Sequence, residues 1–234
     1  LTKPRVLIIQ NDRTETLGLY EDILKERGIA HSVFPAYEFE KDKPFPSIDD
    51  YGAFIVGPTP ISANDVDKHA FLKSEWGYLD EIIRSDKPCL GVCCGAQMLA
   101  RRLGASVKRS PMKEVGGYTV RLTENGKADS LFAGFPQKFP VFHWHSDMFE
   151  VPTGGTLLAE GDPCPIQAFG WGRVRGVIFH LEIDGREAAR WADAYPMELK
   201  AVGKTKEQVL GECAEREPDM KRLAHRLMDN FMKM

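Results

Sequence analysis

The chain predicts an α/β fold, an open, mostly parallel central sheet with helices on both faces, extended by an antiparallel segment. Up to Gly104, short β-branched runs alternate with stretches of helical periodicity, the pattern of βαβ units whose parallel sheet is covered on both sides. Beyond Gly104 the texture changes to closely spaced short strands and tight turns, which belong to antiparallel pairing.

Each element has its own signal. Residues 5–10 are an apolar, β-branched run and read as a buried first strand. Leu17, Tyr20, Ile23 and Leu24 recur at helical spacing, which predicts a helix over 16–27 stopped by Gly28. Residues 31–34 read as a second strand and 42–50 as a Pro- and charge-rich connection. Residues 51–56 form a third strand, cut short by Gly57-Pro58-Thr59-Pro60. Phe71, Trp76, Leu79, Ile82 and Ile83 place a helix over 70–84. A fourth strand follows over 88–92, then a short helix over 96–103. Strands are expected over 114–123, 139–143, 155–159, 166–169 and 173–179, with Asn125-Gly126 as a tight turn. After Ile183 the chain is helical and charged, with a break at Gly203 and a last helix over 217–232. No repeat, low-complexity stretch or linker divides it, so one domain is expected over 1–234: a core over about 5–183 and a helical C-terminal extension over about 184–234.

Composition narrows the function. The 234 residues are 43% hydrophobic and 28% charged, which suits a soluble globular protein and excludes intrinsic disorder. Thirty-one Lys+Arg against 34 Asp+Glu give a net charge of -3, which argues against a nucleic-acid partner held by bulk electrostatics. No apolar run reaches the length of a membrane span, and the mean hydropathy is -0.31. No signal-peptide core precedes the first strand. Cys89, Cys93, Cys94, Cys164 and Cys213 are odd in number with two adjacent. They do not read as a disulfide framework, and a reducing cytoplasm is expected.

The chemistry centres on Gly91-Val92-Cys93-Cys94-Gly95, a G-x-C-x-G sequence between a predicted strand and helix. On such a turn the flanking glycines permit a backbone that a Cβ would obstruct, and the nucleophile is presented at the carboxyl edge of the sheet. The helix that follows offers free N–H groups and a positive dipole end, favouring thiolate and a developing oxyanion. His180 closes the apolar run Val177-Ile178-Phe179, and Glu182 two residues on points the same way if the chain stays extended. A carboxylate there would hold the imidazole tautomer and stabilise imidazolium. The order Cys, His, Glu differs from the Ser…Asp/Glu…His order of the α/β-hydrolases. His143-x-His145 and Cys89-x-x-x-Cys93 lack zinc-motif spacing. They are read as ordinary strand residues, with no metal or cofactor expected.

The string Lys87-Pro88-Cys89-Leu90-Gly91-Val92-Cys93-Cys94-Gly95-Ala96-Gln97 resembles the nucleophile segment of class I, triad-type glutamine amidotransferases, and Phe179-His180-Leu181-Glu182 their F-H-P-E signature. Phe142-His143-Trp144-His145-Ser146-Asp147, with Glu150-Val151-Pro152, resembles stand-alone relatives of the GMP synthase glutaminase domain. The resemblance covers about 51–183 and implies that family's flavodoxin-like fold. It also implies a glutaminase half-reaction through a γ-glutamyl thioester, with Cys93 as nucleophile, His180 as proton carrier and Glu182 orienting it. The Cys94 N–H would form one side of the oxyanion hole. The family's G-G-P turn is here Gly57-Pro58-Thr59-Pro60, so the second donor is either Gly57 or Thr59. Gln97, Ser146 and Asp147 match positions near the bound glutamine, and Glu114 a family E-x-G motif. Leu181 and Ile178 depart from the common proline and glutamine without removing a reacting group. The chain holds no P-loop and no room for a synthetase domain, so an acceptor-activating partner would be a separate subunit. The alternatives are a stand-alone γ-glutamyl peptide or amide hydrolase with the same triad, and a catalytically weak regulatory domain.

Overall fold

In the computed structural model, which describes residues 5–39 and 44–234, the first half follows the expected alternation. It runs β1 (Val6–Gln10), α1 (Gly18–Glu26), β2 (His31–Pro35), β3 (Ala53–Val56), α2 (Ala70–Arg84), β4 (Cys89–Val92) and α3 (Cys94–Arg102). Then come β5 (Val107–Leu122), α4 (Glu124–Ala128), β6 (Lys138–Phe149), β7 (Thr156–Glu160), β8 (Ala168–Trp171) and β9 (Val174–Val177). Helices α5 (Gly185–Ala194), α6 (Pro196–Ala201) and α7 (Lys206–Phe231) complete the chain. Part of the connection expected over 42–50 lies outside the described residues.

One nine-stranded sheet takes the order β2-β1-β3-β4-β9-β8-β7-β5-β6. From β2 to β9 neighbouring strands are parallel, and from β9 to β6 antiparallel. The central parallel strands β1, β3 and β4 are buried and mainly apolar because both faces are covered. Val6, Ile8, Ala53, Ile55, Leu90 and Val92 pack with Tyr20 of α1, Trp191 of α5 and Leu223 of α7. Leu7, Ile9, Phe54, Val56 and Cys89 face Leu79 of α2 and Leu99 of α3 on the other side. This alternation puts the carboxyl ends of β1, β3, β4 and β9 on one edge, where open α/β sheets bind ligands.

Several boundaries move. β5 and β6 are longer than expected because they pair along most of their length. β5 begins at Val107, with a register shift between Arg109 and Glu114, and β6 continues through His145 and Asp147 to Phe149. Asn125-Gly126 is not a hairpin turn: it lies in α4, whose N-cap Thr123 accepts the Gly126 N–H at 3.0 Å. The last helix starts at Lys206 rather than residue 217, because Thr205 and Gln208 form a capping box there. Pro218 sits inside this helix and does not start one.

Candidate active site

β4 ends at Val92 and α3 begins at Cys94, so Cys93 makes the reversal alone, at φ 51° and ψ -113°. Such a backbone costs a non-glycine residue on the order of 1–3 kcal/mol and needs support from its surroundings. The Cys93 N–H donates to the Val177 carbonyl at 2.8 Å, and its own carbonyl accepts the Gln97 N–H at 3.1 Å. Strand and helix can approach this closely only over glycine. A Cβ on Gly91 would lie 2.7 Å from the Ala96 nitrogen, and one on Gly95 would strike the Val56 carbonyl.

On the neighbouring strand β9 ends at Val177, and the chain bends before His180, which forms an isolated antiparallel bridge with Phe142. Glu182 is therefore not aligned with His180 by a continuous strand, as the spacing suggested. Its carboxylate nevertheless reaches the imidazole: Glu182 Oε1 lies 2.5 Å from His180 Nδ1, and Glu182 Oε2 accepts the Leu181 N–H at 3.1 Å. Both side chains are fully buried. Trp191 of α5 meets the His180 ring edge to face at 4.9 Å. His180 Nε2 has no hydrogen-bond partner among the described residues.

The Cys93 thiol is pushed well above its ordinary pKa, chiefly by burial and then by Glu15, Cys94 and Glu182, while a hydrogen bond from the Cys94 N–H works the other way. Burial, the largest of these causes, works against the thiolate that the helix end by itself would favour.

Cys93 opens into a cavity of about 510 Å3. Thr59, Gln97, Trp144, Ser146 and Asp147 line it, together with Glu15 and Glu198. Gln97 Nε2 donates to the Asp147 carbonyl at 3.1 Å, and Ser62 Oγ to Asp147 Oδ2 at 2.8 Å. Arg109 lies 3.3 Å from Asp147 Oδ1. Cys94 turns its sulfur to the Ile61 carbonyl at 3.2 Å, bracing the turn after β3.

Residues 19–190 match the profile of class-I glutamine amidotransferases. The glutamine amidotransferase-like protein YfeJ of Salmonella typhimurium is 31% identical over 182 residues, spanning 76% of this chain and 75% of that one. One subunit of the glutamine-hydrolysing GMP synthase of Thermoplasma acidophilum is 29% identical over 143 residues, 59% of this chain and 66% of that one. A crystal structure of a glutamine amidotransferase from Thermotoga maritima superposes with a TM-score of 0.90 at 31% identity, covering 99% of both chains. The chain belongs to the class-I glutamine amidotransferase family.

In longer GMP synthases such as that of Aeropyrum pernix, the matched part is 20% of the relative's length. Against the expectations for a class-I glutamine amidotransferase, the structure brings Cys93, Cys94, Thr59, Gln97, Ser146 and Asp147 around one cavity. His180 and Glu182 form their buried pair one strand away from the Cys93 elbow. Gly57 differs: its N–H donates to the Ile9 carbonyl at 2.9 Å and is part of the sheet. Glu114 lies behind the cavity, opposite His145 in the β5–β6 ladder.

Glu15, Glu198 and Arg109 are among the cavity residues that the sequence reading did not mark. Glu15, in the loop after β1, is buried and its carboxyl is pushed up to about 8, by burial first and by Asp12 next. Its position at the carboxyl end of a parallel strand was the available signal. Glu198 of α6 accepts from Trp144 Nε1 at 2.5 Å and pairs with Lys113 at 2.9 Å. Arg109 is exposed but tied to Asp147. Neither Glu198 nor Arg109 stands in a motif, so nothing local marked them.

Proposed function

We propose that this family member hydrolyses the side-chain amide of glutamine to glutamate and ammonia. The observation that carries the reading is the buried His180–Glu182 pair at 2.5 Å with Nε2 left unpartnered, one strand from the cysteine elbow. Glu182 accepts the Nδ1 proton, which leaves the Nε2 lone pair as the base. As substrate binds, Nε2 takes the Cys93 proton and the sulfur attacks the amide carbon. The tetrahedral oxyanion is met by the Cys94 N–H and, since the Gly57 N–H is used in the sheet, by the N–H of Thr59. The C–N bond breaks as His180 returns the proton to the leaving nitrogen, giving ammonia and a γ-glutamyl thioester. His180 then deprotonates a water that attacks the thioester carbon, releasing glutamate and the thiol. Gln97, Ser146 and Asp147 hold the amino-acid end of the substrate.

A separate synthetase subunit is the natural consumer of the ammonia, which fits the likeness to one subunit of the Thermoplasma GMP synthase. One observation favours the γ-glutamyl peptide or amide hydrolase reading. The cavity of about 510 Å3 has charged walls at Glu15, Asp65, Arg109, Lys113 and Glu198 and falls in the range that takes a drug-sized ligand. The helical extension is read as part of the same functional unit, because Glu198 reaches the cavity.

The test follows glutamate release from glutamine and from a γ-glutamyl peptide panel, with Cys93→Ala as control. Intact-mass labelling by a glutamine-analogue electrophile runs in parallel. Labelling and turnover that both require Cys93 are expected. The preferred substrate chooses between the two hydrolase readings, and a folded protein that neither labels nor turns over, even with a candidate synthetase added, defeats both.

A further inference from the structure

At the cavity wall formed by His145, Glu114 of β5, His145 of β6 and Cys164 of the β7–β8 loop converge from three segments far apart in sequence, and all are buried. Their donor atoms lie within 4.8 Å of one another. His145 Nδ1 sits 3.1 Å from the Asp147 carbonyl. A carbonyl can only accept, so this contact puts a proton on Nδ1 and turns Nε2 toward Glu114. Nε2 lies 3.0 Å from Glu114 Oε2, and both atoms are buried without an aligned hydrogen bond among the described residues. Buried polar atoms in this arrangement call for a partner, and a cation beside both would supply one. The Cys164 sulfur completes a nitrogen, oxygen and sulfur set. The Cys164 thiol lies beside Ser110 and donates to the Ile166 carbonyl at 3.5 Å, and among the described residues neither ring nitrogen of His143 has a hydrogen bond.

We propose that Glu114, His145 and Cys164 bind one zinc-class divalent cation. One imidazole, one carboxylate and one thiolate suit a borderline-soft ion, and together they balance its charge. The His145 contact to the Asp147 carbonyl is the outer-shell hydrogen bond that orients a ligating imidazole. Binding forms the metal–sulfur bond and releases the Cys164 thiol proton to solvent. The fourth position is open to Ser110, to water or to His143, whose Nε2 is 4.0 Å from Glu114 Oε1. The cation fastens the irregular stretch of β5 between Arg109 and Glu114 to β6 and to the loop before β8. His145 itself lines the cavity that holds Cys93, and the role of the cation is to hold the His145–Asp147 wall in place. The absence of a zinc-spaced motif in the sequence does not bear on it, because no two of the three ligands are near neighbours along the chain.

The full chain, stripped with a chelator and shown to be folded, would be titrated with Co2+ and followed by its near-ultraviolet thiolate-to-cobalt absorption. Zinc content and X-ray absorption would be measured on the zinc-loaded protein. One equivalent is expected, with one sulfur in the coordination shell and a higher thermal midpoint. The absorption should persist in Cys93→Ser and disappear in Cys164→Ser, with affinity at least about tenfold weaker. Should Cys164→Ser fail to fold, the sulfur count and the Cys93→Ser titration still decide. No stoichiometric binding to the folded chain, no sulfur at the metal, loss of the band in Cys93→Ser, or its survival in folded Cys164→Ser would each overturn the site. None of these readouts depends on glutaminase activity.

Discussion

Asn11 donates from Nδ2 to Oε1 of Glu75 at 3.1 Å, and the same nitrogen lies 3.2 Å from the Gly57 carbonyl. A fully buried carboxyl on α2 thus steadies, through one amide, the turn that follows β3. Among the described residues no cation pairs with Glu75, and burial pushes its carboxyl from 4.5 up to about 8, with the Asn11 hydrogen bond opposing.

That carboxyl makes stability fall with pH. The native state keeps the proton up to about pH 8, whereas the unfolded chain releases it near 4.5. The native state therefore binds more protons across this interval, and stability is lost as pH rises through it. Glu75→Gln removes the titration. Its stability relative to wild type should climb from pH 5 to pH 8 and then level, by on the order of a few kcal/mol. Urea denaturation at several pH values measures this, and a pH-independent difference would contradict it.

Glu15 stands beside the thiol in the same neutral form. Below about pH 8 its carboxyl is protonated; above that it becomes an anion facing a sulfur that must itself become negative. In wild type kcat/KM should fall on the alkaline side near pH 8, and Glu15→Gln should lose that limb while keeping near-neutral activity. Identical profiles for the two proteins from pH 6 to 10 would remove Glu15 from the site's electrostatics.

Glu182→Gln keeps an oxygen within reach of His180 and preserves the fold, but loses the charge that stabilises imidazolium. A fall in kcat of about 10³–10⁴-fold is expected, with little change in KM. A loss below about tenfold, in a protein of native thermal midpoint, would mean that Glu182 only braces the bend at Leu181.

Gly95 separates α3 from β3, and a methyl group there meets the Val56 carbonyl. Gly95→Ala should cost about 1–3 kcal/mol by overpacking and displace the turn after Gly57. Calorimetry and activity should therefore fall together. A variant with wild-type stability would show that the elbow has slack.

The parallel half of the fold was legible because its central strands β1, β3 and β4 are buried on both faces while α1 and α2 are buried on one. Continuous apolar runs and helical spacing record those conditions directly, and α2 begins and ends where the periodicity of Phe71, Trp76, Leu79 and Ile82 placed it. The antiparallel half was blurred. β6 runs on through His145, Ser146 and Asp147 because its ladder to β5 and the pocket accept polar side chains that read locally as a strand end. The long α7 was obscured by Pro218, which marks a helix start by statistics yet lies within one here.

At the site the sequence by itself determined the elbow, the order of Cys93, His180 and Glu182 along the chain and the family, since these are carried by neighbours in the chain whose chemistry is local. Tertiary structure alone decided that the Gly57 N–H is spent in the sheet, that burial raises the Cys93 thiol, and that Glu15 and Glu198 wall the cavity. It alone brought Glu114, His145 and Cys164 together. Those outcomes depend on burial and on approaches between segments distant in sequence, where desolvation and hydrogen-bond competition act and no short motif records the result.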